Sequence, residues 1–203
     1  MFGGWGATAR RVDLTLYTDA YVIRGAAETS QRRVSDILNH SDTDFLVLVD
    51  ATFESHDDPK LVHRATYAQV NLSAVLFAVA DAPADSAPEL RTPKNALASL
   101  ISIPPFEVAG RVHLLPEHEL RAALAELTGR FLPVTEAEFW SDRIGVPRTK
   151  ANMVAVNHAR AQILSPFGVA PGEAGVWAGS GSAAETTEAS AEDASEDERP
   201  AGA

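Results

Sequence analysis

One apolar segment of the chain, residues 45–55, occurs twice. Its sequence, FLVLVDATFES, returns 86 residues later as FLPVTEAEFWS at residues 131–141. Five of the eleven positions are identical, and Asp50 in the first copy is matched by another acid, Glu136, in the second. In the first copy every second residue from position 45 to position 53 is apolar, which predicts that these side chains share one face of a β-strand. A central strand that is present twice predicts a folded unit that is present twice.

The repetition continues on both sides of this segment. At the same spacing of 86 residues Leu14 matches Leu100, whereas Gly25 matches Gly110 only if one residue is inserted after the second glycine. Within residues 31–40 of the first copy, apolar residues recur three and four positions apart, which indicates a short helix. The sequence therefore predicts five short strands in each copy, with one short helix between the second and third strands.

The organisation that follows from the repetition has five parts. They are a flexible N-terminus (1–9), a first unit (10–80), a linker rich in proline, alanine and acid (81–95), a second unit (96–167) and a disordered acidic tail (168–203). The tail is predicted to be disordered because its glycine, serine, alanine and acid cannot bury enough apolar surface to offset the entropy of ordering. It carries eight acids against one arginine, so −7 of the net charge of −11 lies there.

The predicted unit resembles the Sm-like small β-barrel. The resemblance is carried by a glycine after strand two (YVIRG, 21–25), a long central strand ending in an acid (45–54), and two last strands meeting at a tight turn (68–71 with 75–77). It implies a mainly β fold with short helices (α+β), built as two tandem five-stranded barrels. The chain departs from the family in two respects: Sm-like proteins place their helix before strand one, and the arginine–glycine pair of their second motif is missing from both copies.

A polar cluster in the first unit is the predicted binding site. It consists of Arg24, Arg32, Arg33, Asp36 and Asn39, which the second unit does not reproduce. Guanidinium groups suit a carboxylate or a phosphate on a ligand or partner. The alternative interpretation is that these are solvated helix charges, each paired with an acid three or four residues away.

The sequence offers little else for catalysis or metal binding. A divalent metal could be ligated by His56, Asp57, Asp58 and His63, although the same residues also suit an ordinary polar turn. An acid–base pair could be formed by His113 and His118, but the acids beside them are equally suited to stabilising the N-terminus of a helix. Nothing in the sequence matches a phosphate-binding loop, a dinucleotide fingerprint or a nucleophile elbow. We therefore predict no catalytic residue, no metal and no cofactor.

Two asparagines, Asn71 and Asn157, occupy matching positions in the two copies. Each lies between the last two predicted strands of its unit. We expect them to serve a tight turn, either through a left-handed backbone or through a side-chain hydrogen bond to the turn.

Composition narrows the expected function. The absence of cysteine fits a reducing compartment, and no apolar run is long enough to cross a bilayer, so we expect a cytoplasmic protein without membrane contact. We predict a non-enzymatic binding or scaffold protein that acts through protein–protein interaction with an unknown partner, and duplicated units also allow a homo-oligomer. The alternative is an Sm-like nucleic-acid or nucleotide-binding module. We do not expect nucleic acid as a partner, because residues 1–93 carry eight basic against thirteen acidic residues.

Overall fold

The structure is a computed structural model that describes residues 9–31, 33–40, 43–80, 95–114 and 120–167. Most of the predicted N-terminal segment (1–9) and linker (81–95), and all of the predicted tail (168–203), lie outside the described residues. Within those residues the chain forms ten strands and two short α-helices, so the prediction of a mainly β fold is confirmed.

The same order of elements occurs in each half of the chain. The first half contains β1 (Arg10–Thr18), β2 (Tyr21–Thr29), α1 (Val34–Asn39), β3 (Phe45–Ser55), β4 (Val62–Asn71) and β5 (Val75–Ala80). The second half contains β6 (Asn95–Ile103), β7 (Phe106–Leu114), α2 (Leu120–Ala125), β8 (Phe131–Ser141), β9 (Val146–Asn157), a 3₁₀ turn (His158–Arg160) and β10 (Ile163–Pro166). Neither α-helix, nor any other helix in the described part, has the length and apolar character needed to span a membrane.

All ten strands belong to one antiparallel sheet, so the prediction of two five-stranded barrels is wrong. The strand order is β10-β6-β7-β8-β9-β5-β1-β2-β3-β4. The two halves meet where β5 pairs with β9, and there Phe77, Ala78 and Val79 lie opposite Val156, Ala155 and Val154. Neither half closes into a barrel within the described residues, because β5 pairs with β1 and β9 rather than with β4, and β9 pairs with β8 and β5 rather than with β10.

The two halves are related by two different spacings. Strand β6 begins 85 residues after β1 and β7 begins 85 residues after β2, whereas β8 begins 86 residues after β3. The inserted residue therefore lies between β7 and β8, so Gly25 is equivalent to Gly110. The expected match of Leu14 with Leu100 is wrong by one residue, because Leu14 lies opposite Gly25 whereas Ser99 lies opposite Gly110.

Both long strands bend at an acidic residue. Asp50 in β3 and Glu136 in β8 have positive φ angles of 52° and 50°, and the pairing of each strand with the preceding strand, β2 or β7, shifts there. Across the bend lies a glycine of the preceding strand, Gly25 or Gly110. A Cβ on Gly110 would lie 2.6 Å from Cγ1 of Val134, so only glycine permits this close approach of the two strands.

The bend also changes which residues of β3 face inward. Phe45 and Val47 are exposed, whereas Leu48 and Ala51 are both fully buried although they lie three positions apart. A bulge adds one residue to a strand, so the alternation of inward and outward side chains shifts at Asp50. The prediction that every second residue from 45 to 53 shares one face is therefore wrong.

Two hydrophobic cores lie on opposite sides of the strands that join the halves. The first core holds residues of β1, α1 and β3 together with Phe131 and Ala155 of the second half, and the second core holds residues of β6 to β9 together with Phe77 of the first half. Adjacent residues of the joining strand β5 face opposite cores, with Ala78 in the first core and Phe77 in the second. Each core thus contains residues from both halves.

Candidate functional site

The predicted polar cluster is divided among several parts of the molecule. Arg24 lies on β2 and forms an ion pair with Glu54 of β3, with Nη1 3.0 Å from the carboxylate oxygen. Arg33 is exposed immediately before α1, and Asp36 lies half-exposed in the first turn of that helix. Arg32 lies outside the described residues. The charge of Arg24 is thus used within the sheet, whereas a binding role for Arg33 and Asp36 stays a prediction.

The fifth residue of the cluster, Asn39, connects the two halves. Its Nδ2 donates to the carbonyl oxygen of Phe131 at 2.9 Å, and the N–H of Phe131 donates to its Oδ1 at 2.8 Å. A side chain on Gly129 would contact the same amide, because a Cβ there would lie 3.4 Å from Nδ2. Asn39 therefore holds the start of β8 against α1, which is a structural role that the sequence did not indicate.

The histidines do not assemble a metal site in the described part of the chain. Nε2 of His56 lies 3.1 Å from the carbonyl oxygen of Thr18, and the ring of His63 stacks on Phe53. Among the described residues no group of three or more histidine, aspartate or glutamate side chains is placed to hold a metal ion. Of the other two histidines considered, His113 contacts the hydroxyl of Thr135, and His118 lies outside the described residues.

The two asparagines at matching positions have unequal surroundings. Both accept a hydrogen bond from the backbone two residues ahead, Asn71 from Ser73 at 2.9 Å and Asn157 from Ala159 at 3.2 Å. Asn157 is also buried to 1 % exposure and its Nδ2 reaches into the first half, where it donates to the carbonyl oxygens of Leu72 and Val75. Asn71 is exposed on the edge strand β4. Asn157 thus joins the two halves, whereas Asn71 faces outward.

An apolar surface of the described residues lies beside Asn71, on the outward side of β3 and β4. The described residues include nine large apolar side chains that are exposed. Five of them lie in β3, in β4 or just before β4, and two more lie in β10 or just after it. Tyr67 of β4 is the most exposed, at 69 %, followed among these by Ile163 of β10 at 60 %. We call the exposed residues of β3 and β4 on this side the β4 face; they are Phe45, Val47, Tyr67, Gln69 and Asn71.

The composition of β4 leaves residues 65–71 of this edge without a charged side chain. Edge strands of soluble proteins are usually blunted by lysine, proline or inward charges, because their unpaired backbone groups would otherwise pair with another chain. The sequence of β4, VHRATYAQVN, contains neither lysine nor proline, and its one arginine, Arg64, comes before residues 65–71. Over the described residues β4 pairs with β3 alone. Among the described residues, the β4 face is therefore the candidate binding surface.

The comparisons with known proteins add no family. No protein family, no curated protein and no solved structure matches this chain. The resemblance to Sm-like proteins therefore stays a prediction.

Proposed function

We propose that the protein is a non-enzymatic binding protein that acts through protein–protein contacts made at the β4 face. The observation that carries this proposal is the contrast between the two halves. Phe45 of the β4 face is 43 % exposed, whereas its equivalent in the second half, Phe131, is 1 % exposed because the first half covers it. The position that the first half buries in the second half is thus solvent-exposed in the first half itself.

The chemistry of the β4 face favours a polypeptide as the partner. An exposed edge strand offers a row of backbone donors and acceptors, to which an extended segment can add as a further strand. Apolar side chains such as Val47 and Tyr67 supply area that a partner can remove from water. A partner that adds a strand would pair with the backbone of β4 and would also cover these apolar side chains.

Two arginines of the first half give little support to the alternative of a nucleic-acid or nucleotide-binding module. Arg24 is paired with Glu54, and Arg11 donates to Asp50 at 2.8 Å, a hydrogen bond that raises the pKa of Arg11. Nucleic-acid binding needs guanidinium groups that neutralise phosphates rather than carboxylates of the same protein. The lack of cysteine keeps the cytoplasm as the predicted location.

A site-specific photo-crosslinker tests the proposal with a control in the same chain. The crosslinking amino acid replaces either Tyr67 of β4 or Tyr21 of β2, which are both exposed tyrosines. We expect discrete cross-linked products with protein from position 67 and none from position 21, because Tyr21 belongs to an internal strand. Equal products from both positions, or turnover of a metabolite by the purified protein without any product at position 67, would contradict the proposal.

A further inference from the structure

We infer that the partner of the β4 face is a second copy of this chain, which adds its strand β10 to β4. The inference rests on the proposed function, since it names the partner for the same surface. The chain already forms a junction of this kind between its own two halves.

The internal junction shows which two strands can pair. There β5 of the first half pairs antiparallel with β9 of the second half, over Phe77–Val79 and Val154–Val156. By the spacing of 86, the residues equivalent to Val154–Val156 are 68–70 of β4, and those equivalent to Phe77–Val79 are 163–165 of β10. Strands β4 and β10 are also the two edges of the ten-stranded sheet. The two edge strands, β4 and β10, are thus equivalent to β9 and β5, the two strands that pair at the internal junction.

The residues around β4 are the counterparts of those that the internal junction buries. Phe131, Ala155 and Asn157 are all buried in the structure, and Met153 packs partly against the first core. Their equivalents on the β4 face, 86 residues earlier, are all exposed; these are Phe45, Gln69, Asn71 and Tyr67. A second copy that docks on β4 as the first half docks on β9 would cover these four residues.

The opposite edge of the molecule shows the same contrast. Ile163 of β10 is 60 % exposed, whereas its equivalent in β5, Phe77, is fully buried. On helix α2, Leu120 is exposed, whereas its equivalent in α1, Val34, is buried. The surface that would approach β4 of another copy is therefore apolar as well.

The proline of β10 is compatible with this pairing. Pro166 has no N–H and cannot donate to a neighbouring strand. Its equivalent in β5 is Ala80, which lies just beyond the three residue pairs of the internal junction. A three-pair junction between copies would therefore end before Pro166, as the internal one ends before Ala80.

One contact of the internal junction would be missing between copies. The two hydrogen bonds between the side chain of Asn39 and the backbone of Phe131 have no counterpart, because the residue of α2 equivalent to Asn39 is Ala125. We therefore expect the junction between copies to be weaker than the internal one and to depend on concentration. Since β4 and β10 are different surfaces, each copy that joins leaves one edge of each kind, and association continues into a ring or a filament.

The decisive experiment uses two variants of the full chain, each blocked at one edge. Tyr67→Asp places a charge on β4 and Ile163→Asp places one on β10, and both positions are exposed enough to tolerate the change in a single copy. Mass is measured by sedimentation velocity over a range of concentrations. We expect the unmodified chain to associate, each variant alone to stay monomeric, and an equimolar mixture of the two to stop at a dimer, because the mixture retains one intact β4 and one intact β10. Tyr21→Asp, on an internal strand, is the matched control and should associate like the unmodified chain.

A gain of affinity gives a second and independent test. In the first half the hydroxyl of Thr43, which stands at the position of Gly129, is hydrogen bonded to both the N–H and the carbonyl oxygen of Phe45. Thr43→Gly combined with Ala125→Asn therefore restores both the glycine and the amide of the internal junction, and relative to Thr43→Gly alone the two added hydrogen bonds should tighten association about tenfold or more. Thr43→Gly with Ala125→Asp is the matched control, since the aspartate can accept from the backbone N–H of Phe45 in the next copy but, when ionised, cannot donate to the carbonyl oxygen. Equal effects of the two substitutions would contradict the proposed contact.

Other outcomes overturn the inference in distinguishable ways. Association of Ile163→Asp alone would show that β4 pairs with β4 of another copy. Association that begins only after removal of residues 168–203 would show that the chain's own tail occupies the edge. An unmodified chain that stays monomeric, with cross-links from position 67 to a different protein, would overturn the inference and leave the proposed function standing; without any cross-link at position 67, both would fail.

Discussion

Asn157 is the residue whose replacement tests the junction between the halves most directly. It is 1 % exposed, and both polar atoms of its side chain are hydrogen bonded. Nδ2 donates to the carbonyl oxygens of Leu72 and Val75 at 3.2 and 2.8 Å, and Oδ1 accepts from the N–H of Ala159 at 3.2 Å. Asn157→Ala would leave two carbonyls of the first half and one N–H of the second half without this partner.

The size of the effect follows from the number of bonds lost. A typical hydrogen bond contributes about 1 kcal/mol net, and a buried group left without a partner costs about 1–3 kcal/mol. Because two of the three bonds of Asn157 are long, at 3.2 Å, we expect Asn157→Ala to lower the free energy of unfolding by about 2–4 kcal/mol. Asn71→Ala is the matched control; it removes one exposed bond and should lower the free energy of unfolding by about 0.5–1 kcal/mol.

A charge at the same position adds a dependence on pH. Asn157→Asp keeps the acceptor for Ala159 but turns a carboxylate oxygen toward two carbonyl oxygens. Burial and these oxygens would raise the pKa of the new carboxyl above its unfolded value of about 3.9. The variant should therefore be least stable near neutral pH and should regain stability as the pH falls through the raised pKa, because the protonated acid can donate to one carbonyl.

Urea unfolding followed by far-UV circular dichroism measures all three variants. Protein concentrations are kept low so that β4 is a free edge and Asn71 has no additional partner. The reasoning would be refuted if Asn71→Ala were as destabilising as Asn157→Ala, or if Asn157→Ala lowered the free energy of unfolding by less than about 1 kcal/mol.

Three further changes have expected outcomes that thermal or urea unfolding can check. Gly110→Ala should destabilise the protein more than Gly25→Ala, because the nearest atom to the new Cβ lies at 2.6 Å in the first case and 3.1 Å in the second; equal losses would contradict the close strand approach. Asn39→Ala should cost about 1–2 kcal/mol, whereas Arg24→Ala, which breaks an exposed ion pair, should cost less than about 1 kcal/mol; the reverse order would restore the sequence-based view of Asn39 as a binding residue. Phe77→Ala should cost about 3–5 kcal/mol, because a fully buried ring is removed from a core that both halves share, and a loss below about 1 kcal/mol would show that the halves are energetically independent.

The strands themselves were largely predictable, because their alternation is local. The repeated segment coincides with β3 and β8, whose bounds are Phe45–Ser55 and Phe131–Ser141. The change of phase within β3 was not predicted, although a signal was present. An acid at matching positions of two apolar strands, Asp50 and Glu136, is unusual in a strand interior, and aspartate is among the residues that tolerate positive φ. Matched acids in an apolar strand can thus indicate a bulge.

The choice between two barrels and one sheet depends on pairing between distant strands, which alternation alone does not determine. One signal distinguishes the fourth strands of the halves. In β9 the run Met153–Val156 is apolar on both faces, whereas the equivalent run of β4, residues 67–70, includes the polar Gln69. A strand that is apolar on both faces is typically covered on both. That difference indicates that β9 is internal and β4 is an edge.

The role of Asn39 had no comparable signal. A polar residue at the end of a short helix is equally suited to binding a ligand, capping the helix or bonding a distant strand. The partner, the backbone of Phe131, lies 92 residues away along the chain and contributes no side-chain atom to the bond. Only the three-dimensional structure could assign this residue.

The sharing of β5 between two cores has a consequence for synthesis of the protein. The chain leaves the ribosome from its N-terminus, at roughly 5–20 residues per second, and β9 follows β5 by about 70 residues. For several seconds, therefore, Phe77 and the outer edge of β5 are exposed before the strand that covers them exists. The first half must remain soluble through this interval with an apolar edge uncovered. A nascent chain arrested before β9 should accordingly be the form of this protein most prone to aggregation and most strongly bound by chaperones.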